Sequence, residues 1–180
     1  MWLPILASAV GVFIVSSILH MLLPGWHKND FRRVRREDEF LDALRALDLA
    51  PGDYMLPRAA TVAELRDAGF RAKYERGPKA VFTVLRPGKM SMGPALAKWF
   101  VYTLVVSAVA ALAARPVLGP RPDVHAIVHV IGLAAWLGYA AALWQQTIWY
   151  QRSAAATLRS TLDGLLYAIV TAAAFVWLWR

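Results

Sequence analysis

Residues 2–23 read WLPILASAVGVFIVSSILHMLL, an unbroken run without a formally charged side chain. A helix rises 1.5 Å per residue, so about 20 apolar residues cross the hydrocarbon of a bilayer. The run therefore predicts a transmembrane helix. Its N-terminal flank, Met1-Trp2-Leu3-Pro4, carries no basic side chain, and the downstream flank Leu22 to Lys28 offers no small-residue cleavage site. A cleaved signal peptide needs both, so an uncleaved anchor is expected. Working outward, three further apolar runs appear at about Trp99–Ala114, Val124–Tyr150 and Leu162–Trp179. They are bounded by Lys98 and Pro116, by Arg121-Pro122-Asp123 and Gln151-Arg152, and by Arg180. The predicted fold class is an all-α membrane protein: four transmembrane helices in a bundle, with a small insert, helical or α+β, between the first and second. The expected divisions are 1–23, 24–97 and 98–180.

Composition agrees with this reading. Hydrophobic residues make up 58% of the 180 and charged residues 18%, whereas soluble domains carry about a quarter charged. The absence of cysteine excludes disulfides, iron–sulfur clusters and thiolate metal sites. The net charge of +8 fits loops facing anionic lipid. No nucleic-acid-binding motif accompanies it, so nucleic acid is not an expected partner. Trp2, Trp26, Trp99, Tyr102, Trp149, Tyr150, Trp177 and Trp179 read as interfacial anchors.

Charge also orients the chain. Residues 28–98 hold fifteen of the twenty Lys and Arg, and Arg152 and Arg159 fall on the same side. Arg115, Arg121 and Arg180 fall on the other. The excess of positive charge on the inner side predicts that residues 28–97 are cytoplasmic and that both termini are outside, in a bacterial inner membrane. The densest cluster, Arg32, Arg33, Arg35 and Arg36, reads first as a topology determinant and second as a contact for anionic lipid or a partner.

Within the insert, Phe40, Leu41, Leu44 and Leu47 recur at helical spacing over 38–48, and Pro51-Gly52 ends that helix. Thr61 and Glu64 have capping-box spacing and open a second helix. Gly69 is read as its C-terminal glycine, which ends the helix near Ala68; the alternative is a continuation towards Arg76 that carries Gly69 inside the helix at a cost of about 1 kcal/mol. The alternation Phe70, Ala72, Tyr74 then predicts a strand. Ala80 to Leu85 predicts another, pairing either with 70–75 or with Tyr54-Met55-Leu56. So small an insert buries little core by itself.

Polar groups inside spans are the default functional candidates. His20, Gln145, Arg159 and Asp163, with Gln146, fall at one level near the inner face. Arg159 and Asp163 have the i,i+4 spacing of an ion pair. The cluster reads as glue between helices, or as a proton-handling or ligand site. His125 and His129 are also i,i+4 and lie near Asp123, which makes these three weak candidates for a metal. Single-histidine ligation of haem or a pigment is the remaining cofactor reading. No cofactor is the default. No H-E-x-x-H, G-x-S-x-G or Gly-rich phosphate loop is present.

The pairs His20-Met21, Leu23-Pro24 and His27-Lys28, with Asp30, Gly77-Pro78, Leu143-Trp144-Gln145, Ile148-Trp149-Tyr150, Asp163-Gly164-Leu165, Tyr167-Ala168 and Trp177-Leu178-Trp179, resemble a pattern in a family of bacterial four-helix inner-membrane proteins of about this length. The resemblance implies the fold and no activity. His125 and His129 lie outside it. Small residues at Ala110 and Ala114, and at Ala134, Gly138 and Ala142, favour close helix packing. The expected function is a non-enzymatic structural or accessory membrane subunit, contacting lipid and either itself or other subunits. A haem-, pigment- or metal-bearing or proton-handling protein is the alternative, and a small oligomeric transporter is the third reading.

Overall fold

The computed structural model describes residues 1–179; Arg180, counted above among the outer cations, lies outside them. Four helices are long and apolar enough to cross a membrane. They are α1 (Trp2–Leu22), α6 (Gly93–Ala114), α7 (Val124–Tyr150) and α8 (Ala154–Leu178). Between α1 and α6 come α2 (Pro24–His27), α3 (Glu37–Ala46), β1 (Gly52–Leu56), α4 (Val62–Arg66), α5 (Ala68–Arg76) and β2 (Ala80–Val84). The described residues divide into two compact units, 1–32 with 91–179 and 33–90.

In the helical unit, α1 packs against α6 and α8, and α7 packs against the same two, so the four helices close a ring. The interior is built from small residues. Ala9, Ala110, Ala114, Ala135 and Ala172 are buried, with Phe175, Ile131 and Val12 filling the wider gaps. The large aliphatic residues Leu6, Val10, Ile14, Val105, Leu112, Leu133 and Leu137 face outward. This distribution suits a lipid solvent, where association comes from close packing and interhelical hydrogen bonds. Such bonds are present. Ser8 Oγ donates to Ser107 Oγ at 2.9 Å, and Trp99 Nε1 donates to Ser16 Oγ at 2.8 Å. At Gly164 an added Cβ would lie 2.9 Å from Ala140 Cβ, so only glycine admits this approach of α7 to α8.

The spans are not uniformly α-helical. Ile18–Leu22 in α1, and Val128–Gly132 and Leu137–Ala141 in α7, are π-helical turns. The first carries His20 and precedes Pro24, whose ring cannot donate to a preceding carbonyl. Leu23 N–H closes the turn on Ile18 O at 3.1 Å, and the chain bends into α2. Single π turns often occur at functional sites.

The second unit holds an antiparallel pair, β1 with β2, in which Tyr54 stands opposite Phe82 and their rings stack at 5.6 Å. The expected strand at 70–75 is not formed. Those residues belong to α5, which continues to Arg76. Asp67 is the reason: its carboxylate accepts from Phe70 N–H at 2.8 Å and caps a new helix. Gly69 therefore sits in a first turn, close against the Asp67 carboxylate, and ends nothing. Thr61 does cap α4, accepting from Glu64 N–H at 3.1 Å. No residue of α3, α4 or α5 is buried.

Candidate functional site

One end of the helical unit gathers a cluster of ionisable side chains. The π turn of α1 supplies His20, α2 supplies Trp26 and His27, the following turn supplies Asp30, and the first part of α8 supplies Arg159 and Asp163. Asp163 is 3% exposed, where a lone carboxylate is expensive. Its partners come from α2: Trp26 Nε1 donates to Oδ1 at 2.8 Å, and His27 Nε2 lies 2.9 Å from Oδ2.

That second approach is not a hydrogen bond. His27 Nε2 is buried, close to the carboxylate but out of line with it, and it has no hydrogen-bond partner among the described residues. The other ring nitrogen explains why. His27 Nδ1 sits 2.7 Å from Asp30 Oδ2, an acceptor, so the ring proton belongs on Nδ1 and Nε2 carries the lone pair. Burial alone would raise the Asp30 carboxyl. Hydrogen bonds from His27 and Arg159, and the Arg159 charge, override burial and hold it below the usual carboxylate range. Arg159 donates from Nε to Asp30 Oδ1 at 2.9 Å, and its Nη2 meets the same oxygen. Asp30 thus remains an ionised acceptor at neutral pH and fixes the His27 tautomer.

His20 is arranged in the same way. Its Nδ1 lies 3.0 Å from the carbonyl oxygen of Ser16, again an acceptor, which leaves Nε2 with the free lone pair. The His20 and His27 rings stack with centroids 4.4 Å apart and 17° between planes. One ligand atom from each of His20, His27 and Asp163 lies within 4.8 Å of the other two. Two imidazoles and one carboxylate with ligand atoms this close could hold a divalent transition metal. Asp30 and the Ser16 carbonyl take the orienting role that outer partners play in such sites.

Several expected residues are placed elsewhere. Arg159 does not pair with Asp163; it pairs with Asp30, and the Asp163 carboxylate is taken by Trp26 of α2. Gln145 is exposed on α7 and its side chain makes no hydrogen bond among the described residues. Asp123 caps α7 through Ala126 N–H at 2.9 Å. His125 and His129 are both exposed, and the π turn that includes His129 spoils the i,i+4 alignment of a regular helix. These three residues form no ligand cluster among the described residues. Arg33 pairs with Glu37 at 3.2 Å, and Arg36 pairs with Glu39. Arg32 and Arg35 are exposed without an ion pair among the described residues.

Trp26 and Trp99, read as lipid anchors, instead spend their indole N–H groups on Asp163 and Ser16. His27, Trp26 and Asp30 were absent from the sequence-based candidates. The i,i+3 spacing of His27 and Asp30, directly after a span that ends in His20, is the signal that would have pointed to them.

Beside the cluster is a cavity of about 380 Å³, lined in part by His20, Trp99, Tyr139, Asp163 and Tyr167. The aromatic rings pack edge to face, Tyr139 to Tyr167 at 5.4 Å and Trp99 to Tyr167 at 5.8 Å. The hydroxyls of Tyr139 and Tyr167 are buried without a hydrogen-bond partner among the described residues.

No protein-family model, curated protein or solved structure matches this chain.

Proposed function

We propose that the protein is a multi-pass bacterial inner-membrane protein that holds a divalent transition-metal ion between His20, His27 and Asp163, at the cytoplasmic end of its bundle. The observation that carries the reading is the buried, unpartnered His27 Nε2. It lies 2.9 Å from Asp163 Oδ2 without a hydrogen bond, while Nδ1 sits against the Asp30 carboxylate. A buried polar atom left unpaired costs about 1–3 kcal/mol, and metal ligation removes that cost. Two nitrogens and one carboxylate suit zinc or ferrous iron, with coordination positions left for water or substrate. A protonated His27 bridging two carboxylates is the rival arrangement, and the out-of-line approach of Nε2 to Asp163 disfavours it. The inner-membrane setting and the orientation rest on the four spans and on the distribution of Lys and Arg.

Elemental analysis and zinc titration of the purified full chain test the metal. The expected result is one ion per chain, lost in His27→Ala and in Asp163→Ala, and retained in His129→Ala. No bound metal in the native protein, or equal retention in all three variants, would remove the reading.

The accessory-subunit reading has its own support. Phe40 and Leu41 on α3 and Val62 and Leu65 on α4 are exposed, and apolar faces of this kind are commonly covered by a partner. Native mass spectrometry from lipid nanodiscs tests it. An oligomer or a co-purified protein is expected, and a bare single chain at physiological salt excludes the assembly.

A further inference from the structure

We infer that the cavity beside the His20 and Asp163 side chains is a binding site for a single-chain amphiphile with a carboxylate head, whose head completes the coordination of the metal; the inference rests on the metal reading above. Three observations point there. First, His20 and Asp163 both line the cavity, whereas His27 is braced from behind by Asp30. An ion held by the three would therefore present its remaining coordination positions to the cavity. Sites with three protein ligands and an open position are the reactive kind, since structural sites are closed by a fourth ligand.

Second, the cavity combines apolar walls with a few polar groups. The Asp163 carboxylate, the His20 imidazole and Tyr167 line it together with Ser16, Ser17 and Ser160. Leu96, Trp99, Leu143 and the ring of Tyr139 supply apolar wall. The volume of about 380 Å³ lies within the range of small-molecule sites, which combine apolar walls with a few convergent polar groups. Tyr167 is 4% exposed and its hydroxyl is unpaired among the described residues, so it has a donor to give to a bound oxygen. Met21, Met92 and Ala95 on the same wall are exposed and lie on the outer surfaces of α1 and α6 or just before α6. They form an apolar mouth for a molecule arriving from lipid.

Third, the charges select the head. The Asp30 carboxylate is balanced by Arg159. A divalent ion with the Asp163 carboxylate and two neutral imidazoles leaves a single positive charge. In a low-dielectric setting that charge requires a counter-ion. A carboxylate supplies one negative charge. A phosphate monoester carries about −1.5 to −2 and overshoots it. Without the metal the same site carries the negative charge of Asp163 and repels an anion, so amphiphile binding should be gated by metal.

The test uses the full chain in lipid nanodiscs with radiolabelled dodecanoate, and zinc binding is measured separately on the same preparation. Zinc-loaded protein should bind dodecanoate saturably at one per chain, at least tenfold more weakly after chelation. Dodecyltrimethylammonium should not displace it, and dodecyl phosphate should compete less well than unlabelled dodecanoate. Leu96→Trp, which fills the apolar wall, should lose dodecanoate and keep zinc, which also reports that the variant is folded. Tyr167→Phe should weaken dodecanoate while zinc affinity stays unchanged. Zinc binding without saturable dodecanoate binding overturns this inference and leaves the metal reading standing. So does dodecanoate binding that survives chelation, that persists in Leu96→Trp, or that yields equally to the cationic amphiphile. Tighter binding of dodecyl phosphate overturns the carboxylate assignment. Absence of zinc binding removes both readings together.

Discussion

Replacing Asp30 by Asn separates the orienting role of this residue from metal ligation itself. Asn keeps an acceptor oxygen for His27 Nδ1–H, at 2.7 Å in the native protein, but removes the negative charge. Outer-shell carboxylates of this kind typically contribute 10- to 100-fold to metal affinity, which is about 1.4–2.8 kcal/mol. The same change converts two charge-assisted hydrogen bonds, from His27 and Arg159, into weaker ones. The difference between charged and neutral hydrogen bonds is about 1 kcal/mol each, so the metal-free protein should lose about 2 kcal/mol. Arg159 is 23% exposed and recovers some hydration, which keeps the loss at or below that figure.

The pH dependence follows from the direction of the Asp30 shift. Its folded pKa is depressed, so its contribution is fully present above the unfolded value of about 3.9 and is lost as pH falls through the lower folded value. The stability gap between native protein and Asp30→Asn should therefore be constant from pH 7 to about 5, then close in acid below about pH 4. Zinc titration against a competing chelator at pH 7 reads the first effect. Thermal unfolding of the metal-free protein in mild detergent across pH 3–7 reads the second. Zinc affinity within twofold of native, or a stability gap that persists unchanged at the lowest pH, would refute the role assigned to Asp30.

Gly164→Ala places a methyl 2.9 Å from Ala140 Cβ and 3.4 Å from Tyr139 Cβ, so α7 and α8 must part. A loss of about 1–3 kcal/mol is expected, read as a lowered unfolding temperature, together with weaker zinc binding because Asp163 is the adjacent residue. Topology is checked with single cysteines at Ala60 and Gly119, both exposed in a chain without native cysteine. An impermeant thiol reagent on intact cells should label Gly119→Cys and should reach Ala60→Cys only after lysis; the reverse pattern inverts the orientation.

Hydropathy alone determined the four helices long and apolar enough to cross a membrane. The transfer of an apolar run from water to hydrocarbon is a local sum over residues, and nothing distant alters its sign. Val124–Tyr150 accordingly has the same bounds in sequence and structure, while α6 and α8 begin earlier than their apolar runs because residues 93–98 and 154–161 continue the helices ahead of them. Local chemistry was less decisive in the insert. Gly69 fits a helix end or a helix start equally well by sequence, and the Asp67 cap on Phe70 N–H settled it. The site was legible only in fragments. His20 and Asp163 stood out because polar groups inside a span are expensive wherever they fall. His27 lies beyond the apolar run and entered only through the resemblance pattern, with no role attached. Its significance depends on α2 folding back so that Trp26 and His27 reach Asp163, across 137 and 136 positions of chain. A convergence of that kind is a property of packing. It depends on the π turn before Pro24 and on the glycine at 164, which together let the helices approach closely enough for three ligand atoms to lie within 4.8 Å of one another.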